Sequence, residues 1–125
     1  MATLLVNAGK AIVTNRIKGS GTEPLYVAWG TGAGTTAATD TTLFTETGTR
    51  TSGTSTQQTT SVTNDTYQVV GTMTAGGTLA ITNAGLFDAS TVGNLFVKGD
   101  FSTINLSSGD SIQFTIKTQI GRAHV

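Results

Sequence analysis

The feature that most restricts the fold is a run of alternating side chains near the C-terminus. Over residues 111–120, Ile112, Phe114 and Ile116 alternate with glutamine, threonine and lysine side chains. Successive side chains of a β-strand point to opposite faces, so this period of two predicts a strand with one face turned towards a core. We therefore expect these three residues to be largely buried.

Shorter strand-like segments recur along the rest of the chain. They occupy residues 25–29, 66–74, 79–82, 94–98 and 101–104, and the polar residues 50–62 are interpreted as an edge or surface strand with a loop. Turn-forming pairs such as Asn64-Asp65 and Gly99-Asp100 separate them, and Gly71 is a candidate β-bulge. Several short strands with closely spaced turns predict an all-β protein, an antiparallel β-sandwich or jelly roll.

One segment near the N-terminus favours a helix instead. Residues 7–17 place Ala8, Ala11 and Ile12 on one helical face, with Asn7 as the N-cap. Glycines at positions 19 and 21 would end this helix. We expect a single short N-terminal helix beside the strands.

The length of 125 residues predicts a single domain, which we place at residues 1–120. Residues 121–125 form a C-terminal tail that breaks the alternation. Together with Ile120, they read like the translation of a common sequencing-library adapter, Ile-Gly-Arg-Ala-His-Val. If the tail is such an artefact, the native C-terminus differs. The only histidine, His124, would then be absent from the native protein and could have no function.

The composition is poor in charge and rich in hydroxyl groups. Charged residues make up 11% of the chain, against about 25% in typical soluble domains, and seven basic residues balance seven acidic ones. The chain has 27 threonines, 16 glycines and no cysteine. No net field attracts nucleic acid or an anionic membrane. A surface with so little charge suits a protein that packs against copies or partners, and the alternative is a threonine-rich secreted β domain.

The N-terminal and hydropathy patterns favour a protein made and used without secretion. The first 16 residues lack the charged start and long apolar centre of a signal peptide. No apolar run approaches the roughly 20 residues that a membrane-spanning helix requires. We therefore expect neither a membrane nor a nucleic acid among the partners.

A glycine-rich segment at residues 30–36 follows a strand-like run, as phosphate-binding loops often do. It contains no lysine, the residues after it are poor helix formers, and Thr35 stands where the dinucleotide pattern needs its third glycine. We therefore expect no nucleotide and no other cofactor. The predicted role of this segment is a tight turn that packs close to Trp29.

Other catalytic and metal-binding arrangements find little support. The acidic residues are scattered, one per turn, and a Ser-His-Asp arrangement would depend on His124. A glycosidase carboxylate pair stays open because spacing alone does not exclude it. The threonine runs could present a flat hydroxyl array, as in ice-binding proteins, but without a regular repeat we interpret them as solvent or interface faces. We predict no catalytic, cofactor-binding or metal-binding residue.

Two blocks, residues 25–50 and 79–117, resemble a recurrent small β domain of virion structural proteins in tailed bacteriophages. The first block matches the family pattern at five places. These are a strand that ends in Trp-Gly-Thr-Gly at residues 29–32, Thr-Thr at 35–36, Asp-Thr-Thr-Leu at 40–43, Glu46 and Arg50. In the second block the pattern is matched by Ala-Gly-Leu-Phe-Asp, Gly-Asn-Leu-Phe and a final Asp-Ser-Ile-Gln-Phe-Thr-Ile strand. The proline common after the Thr-Thr pair is replaced by Ala37.

The resemblance implies structural positions rather than catalytic ones. The residues that it places in turns and core are Trp29, Gly30, Gly32, Leu43, Gly85, Phe87, Asp88, Leu95, Ile112, Phe114 and Ile116.

The resemblance also implies a non-enzymatic role in the virion. Our first interpretation is a capsid decoration, or cement, protein that binds the major capsid protein on the outer capsid surface after assembly in the host cytoplasm. The alternative is a tail, tail-fibre or head-fibre component involved in host attachment. In either case a small, apolar-poor domain gains from burial against copies of itself, and we expect a homo-trimer or homo-dimer.

Overall fold

A computed structural model of the protein describes residues 2–121. His124 and the rest of the predicted tail beyond Gly121 lie outside the described residues. The described chain forms eight strands and one helix. In order these are β1 (Ala2–Leu5), α1 (Asn7–Lys18), β2 (Tyr26–Gly30), β3 (Glu46–Ser52), β4 (Thr54–Gln58), β5 (Thr66–Thr74), β6 (Leu79–Phe87), β7 (Leu95–Leu106) and β8 (Ser111–Gln119).

The strands form two antiparallel sheets that pack in a sandwich-like arrangement. The five-stranded sheet has the order β1-β7-β6-β2-β3, and the three-stranded sheet has the order β4-β5-β8. The predicted all-β fold with one N-terminal helix is confirmed. The chain passes from the five-stranded to the three-stranded sheet through Gly53 alone, where a side chain would lie 2.5 Å from Cγ1 of Val69.

The main core lies between the two sheets. Val27, Trp29, Ile81 and Leu86 of the five-stranded sheet are buried there against the three-stranded sheet. Trp29 packs edge-on against Phe114, with 6.4 Å between the ring centroids. Aromatic rings prefer such an edge-to-face contact, which adds to the apolar burial.

Helix α1 packs on β7 and closes one end of this core through Ile12. Gly9 makes the close approach feasible, because a β-carbon there would collide with the carbonyl oxygen of Phe96. Gly19 ends the helix in the left-handed conformation, with φ of 94°, as predicted. The predicted N-cap is wrong: Val6 occupies that position and no side chain caps the helix.

The strand predictions need four corrections. The segment 50–62, predicted as one strand with a loop, contains the end of β3, the whole of β4 and the start of the next loop, because the chain changes sheet at Gly53. Residues 95–106 form one strand instead of two, because Gly99 and Asp100 stay paired with β6 instead of turning the chain. The strand predicted at residues 79–82 continues to Phe87. Gly71 is not a bulge, since β5 keeps its register with both neighbours. A β-carbon at that position would approach Cγ2 of Val27 to 2.7 Å, which explains the glycine.

The burial predicted for the alternating strand is also too high. Ile112, Phe114 and Ile116 do point towards the core, but each is only half-buried. The physical reason is the position of β8, which is the edge strand of the smaller sheet and has β5 as its only partner among the described residues.

The described part of the chain contains no helix with the length and hydropathy to cross a membrane.

Candidate functional site

The glycine-rich segment belongs to a longer loop that lies across the outer face of the five-stranded sheet. We call residues 31–45, which connect β2 to β3, the covering loop. Leu43 is buried from this loop in a second, smaller core. Its partners on the sheet include Ala28, Phe87 and Leu95, with Val6 beside them. The five-stranded sheet is therefore covered on both faces.

Three of the predicted turn and core residues are glycines because a side chain there would collide with the covering loop or with a neighbouring strand. A β-carbon at Gly85 would lie 2.6 Å from the carbonyl oxygen of Val97 and 2.9 Å from Leu43. One at Gly32 would lie 2.6 Å from Oγ1 of Thr45, and one at Gly30 would collide with the carbonyl oxygen of Phe44. The glycines thus allow close packing, but the prediction of a tight turn beside Trp29 is wrong. The segment begins a long loop on the face of the sheet opposite to Trp29, because Leu43 from this loop fills the second core.

The backbone amides at the start of the covering loop are occupied. The N–H of Thr31 donates to the carbonyl of Thr45 at 3.1 Å, and the N–H of Gly32 donates to the carbonyl of Phe44 at 3.0 Å. A phosphate-binding loop needs such groups free and pointing at the ligand. In this loop they hold its two ends together instead.

A buried lysine fixes the middle of the covering loop. The Nζ of Lys98, on β7, donates to Oδ2 of Asp40 at 2.9 Å and to the carbonyl of Thr42 at 2.9 Å. It also lies 3.2 Å from the ring centroid of Phe44. The Lys98 side chain is fully buried, whereas that of Asp40 is 22% exposed. The N–H of Ala37 and then Lys98 lower the pKa of Asp40.

Two further polar groups on the sheet hold the covering loop through its backbone. Asn83, fully buried on β6, accepts from the N–H of Phe44 at 3.0 Å and donates to its carbonyl at 3.1 Å. Asp100 accepts from the N–H of Thr36 at 3.1 Å. Buried polar groups need such partners, so the loop and the sheet stabilise each other.

A second loop on the same face, residues 88–94 between β6 and β7, is fixed by Arg50. Its guanidinium forms a bidentate pair with Glu46 at 2.8 and 3.1 Å. It also donates to the carbonyls of Ala89 and Val92 at 2.8 and 2.7 Å and lies 3.6 Å from the ring centroid of Phe87. These contacts give Glu46 and Arg50 of the sequence motif a structural role.

The predicted turn residue Asp88 closes the same loop. Its carboxylate accepts from the N–H of Asn94 at 2.7 Å and from the Asn94 side chain at 3.2 Å. This geometry is that of a loop-closing aspartate, as expected for turn-forming acidic residues.

The structure places eight of the eleven predicted residues on or beside the five-stranded sheet, with Trp29 in the inter-sheet core and Leu43, Phe87 and Leu95 in the second core. Trp29, Gly30, Gly32, Leu43, Gly85, Phe87, Asp88 and Leu95 all lie in β2, in the covering loop, or in β6, β7 and the loop between them. Ile112, Phe114 and Ile116 lie on β8 of the other sheet and pack against the inter-sheet core, where Phe114 contacts Trp29.

Sequence reasoning missed Lys98 and Asn83. Lys98 follows the apolar run 95–97, which signals a buried strand, but nothing local indicates its partner 58 residues away.

The ionisable groups of the described residues do not assemble into a reactive centre. No group of three or more histidine, cysteine, aspartate or glutamate side chains is close enough to hold a metal ion within residues 2–121. Lys98, Asp40, Arg50 and Glu46 all bind to backbone groups or to one another as described above. The arrangement supports packing and loop attachment.

In the described structure, the outer face of the three-stranded sheet is covered at one end only, where the loop 59–65 buries Thr66 and bonds to Gln119. Val69 and Met73 point inward from β5, so the intervening residues point outward. We call this outer surface the hydroxyl–amide face. Its members are Thr54, Thr56, Gln58, Gln68, Val70, Thr72, Thr74, Ser111, Gln113, Thr115, Lys117 and Gln119. Lys117 carries the only charge among them.

An apolar groove of about 450 Å³ lies at the end of the molecule where α1 meets β5 and β8. Ile17 is 81% exposed beside it and Ile120 is 61% exposed. Tyr67 lies in the groove wall, and its hydroxyl donates to Glu23 or to the carbonyl of Pro24, each at 2.8 Å. Burial, followed by the bond to Glu23, raises the pKa of Tyr67.

Fold and surfaces together define a small β-sandwich structural protein in which loops cover the outer face of one sheet, while the outer face of the other is mostly open and nearly uncharged. The chain belongs to the family described as podophage GP4 fiber I protein gp80, whose model matches residues 8–120. Comparisons with curated proteins and with solved structures give no match. The predicted kinship with phage virion structural proteins is confirmed.

Family membership makes the protein a structural, non-enzymatic fibre component of the phage virion. Of our two interpretations, it favours the alternative, a fibre component, over capsid decoration. The threonine-rich turns and core residues that carry the resemblance are compatible with both kinds of virion protein, which is why the motifs alone led us to prefer the wrong one.

Proposed function

We propose that this protein is a folded unit of a phage fibre that takes part in host attachment and acts as a small symmetric homo-oligomer. The observation that carries the proposal is the hydroxyl–amide face. It offers hydroxyl and amide groups across three strands with a single charge, at Lys117. A surface of this kind contacts partners through hydrogen bonds and shape.

The loops attached to the five-stranded sheet also support the proposal, because they stabilise the fold. A fibre unit outside the cell has to stay folded without help from cellular factors. The covering loop is attached through Lys98, Asn83 and Asp100, and the 88–94 loop through Arg50. Because these two loops cover the outer face of the five-stranded sheet, we expect the contacts with partners to involve the three-stranded sheet.

A homo-oligomer follows from the energetics of a small domain. The ordering cost of about 1.5 kcal/mol per residue offsets most of the gain from apolar burial in any folded domain. Only 37% of the residues are apolar. Burial between copies adds stability that the isolated chain lacks.

The test is to locate the protein in intact particles and to measure adsorption. Labelled antibody fragments should mark fibres, and purified protein added in excess should compete with phage particles for binding to host cells. Because the face carries so little charge, competition should change little between low and moderate salt. Labelling over the whole head, with loss of head stability and normal adsorption in particles lacking the protein, would overturn the proposal and restore capsid decoration.

A further inference from the structure

Of the four edge strands in the described structure, β8 is the one best suited to accept another strand. β1 has 4 residues and β4 has 5, whereas β8 has 9 in unbroken register with β5. The remaining edge, β3, has a register shift in its pairing with β2 and a glycine at positive φ, Gly48. Natural edge strands are protected against pairing by such irregularities, by proline or by several charges. β8 has no proline and one charge.

The inner side chains of β8 indicate that its edge is incomplete. Ile112, Phe114 and Ile116 pack against the core but stay partly exposed, and in the described structure the side of β8 away from β5 is open. A strand added beside β8 would cover that side and would also satisfy the free backbone N–H and C=O groups of the edge.

We propose that the partner on this edge is β8 of a second copy, paired antiparallel about a two-fold axis at Thr115. The two three-stranded sheets then form one continuous six-stranded sheet. This proposal rests on the homo-oligomer proposed above and specifies the surface that forms it.

The sequence of β8 selects this register. Opposite residues must face the same side of the sheet, so a shift by one residue would turn the inner row outward. Among the registers that keep the inner row inside, the one centred on Thr115 pairs all 9 residues of both strands. Every other register leaves strand residues unpaired at the ends.

The side-chain pairs of this register are also favourable. Phe114 comes opposite Ile116 of the second copy, an aromatic and β-branched pair of the type that stabilises sheets. Lys117 comes opposite Gln113, so the two like charges do not meet. A register centred on Lys117 would place them directly opposite each other, which destabilises a strand pair.

The first experiment introduces like charges at the two-fold axis. Thr115→Lys places two ammonium groups opposite each other across the axis, while its side chain stays on the exposed outer face. The matched control is Thr54→Lys, because Thr54 and Thr115 flank the same residue, Val70, on opposite edges of the sheet. Light scattering after size exclusion, over a concentration series, gives the dimer fraction, and thermal denaturation checks that each variant is folded.

We expect the unmodified chain and Thr54→Lys to dimerise alike. We expect Thr115→Lys to raise the dimer dissociation constant by about fivefold or more. Mixing Thr115→Lys with Thr115→Glu should restore dimers, because opposite charges then face each other. A monomeric unmodified chain, or an oligomer that Thr115→Lys leaves unchanged, would overturn the β8 pairing.

A second measurement tests the register without relying on charge. The chain has no cysteine, so introduced cysteines report on their own contacts. Gln113→Cys and Lys117→Cys should cross-link with each other in a mixture under mild oxidation, and much less when each is present alone. Equal cross-linking in all three samples would contradict this register. A trimer without these cross-links would overturn the β8 pairing and leave the homo-oligomer and the fibre role standing, since fibre labelling and adsorption test those separately.

Discussion

The outer faces of the two sheets differ in how they meet the solvent. On the five-stranded sheet, the covering loop and the 88–94 loop lie over the strands and bind to buried polar groups such as Lys98 and Asn83. On the three-stranded sheet, the loop 59–65 covers one end, and the rest of a face of threonine and glutamine side chains is open within the described residues. The comparison teaches that the glycine-rich motif serves the covered face, while the plain threonine-rich strands carry the surface available to partners.

The largest effect should come from the core that both sheets share. Trp29→Ala should lower the free energy of unfolding by about 3–5 kcal/mol, because a fully buried large side chain is removed from between the sheets. Urea denaturation followed by circular dichroism measures the change. A loss below about 1 kcal/mol would show that the sheets do not depend on each other at this point.

The second-largest loss of stability should come from the attachment of the covering loop to the sheet. Asp40→Ala should cost about 2–3 kcal/mol, because it leaves the buried Lys98 ammonium without its carboxylate; a fully buried Asp40 would cost more. The same denaturation measurement applies.

The control for Asp40 is the double variant Asp40→Ala with Lys98→Met. It should recover part of the loss, since no unpaired charge then stays buried. A double variant as unstable as the sum of the two single variants would mean that the ion pair does not couple the loop to the sheet.

A substitution in the edge strand β8 should lower the free energy of unfolding less than one in a buried strand. Phe114→Ala should cost about 1.5–2.5 kcal/mol, roughly half of the Trp29 effect, because its side chain is only half-buried in one chain. Measured on dilute protein, a cost equal to that of Trp29→Ala would show that β8 is covered in a way that a single chain does not provide.

The smallest effect concerns the loop at the end of the three-stranded sheet. Asp65 accepts hydrogen bonds from the backbone N–H groups of Thr60, Ser61 and Val62, and the bond from Thr60 makes the largest contribution to a pKa held well below its usual range. Such a group stabilises the fold above its unfolded pKa of about 4 and loses this contribution as the pH falls further, towards its folded pKa.

Asp65→Asn should therefore destabilise the protein at neutral pH. It should also narrow the difference in thermal midpoint between pH 7 and about pH 3, because the amide does not titrate in this range. An acid-induced decrease in midpoint that is the same in both proteins would show that this carboxylate does not contribute.

Residue patterns were sufficient to predict the elements that depend on local preferences. The period of two in β8 and the glycine that ends α1 are local signals, and both features are present in the structure. Gly99-Asp100 misled the prediction because the same pair serves in turns and in strands. Here Asp100 bonds to Thr36, a residue distant in sequence, and the strand continues through it.

Long-range contacts were beyond what the sequence alone could supply. The role of the glycine loop as a cover depends on Lys98 and Asn83, which lie far along the chain from it. The half-burial of Phe114 depends on the strand order, which places β8 at an edge. Neither the pairing partner of a lysine nor the order of strands in a sheet leaves a local pattern.

The single residue between β3 and β4 has a consequence for how chains of this fold can vary in length. A β-carbon at Gly53 would already collide with Val69, and one added residue would shift β4 against β5 while β3 stays bound to β2. Gly76, Gly77 and Gly109 lie in turns where an added β-carbon meets no atom within 4 Å. Gly109 is nevertheless constrained, because its φ is 89° and its N–H donates to the carbonyl of Ala75 at 2.8 Å. Insertions, whether natural or engineered as tags for labelling a fibre, should therefore be tolerated at residues 76–77, and position 53 should keep both its glycine and its spacing.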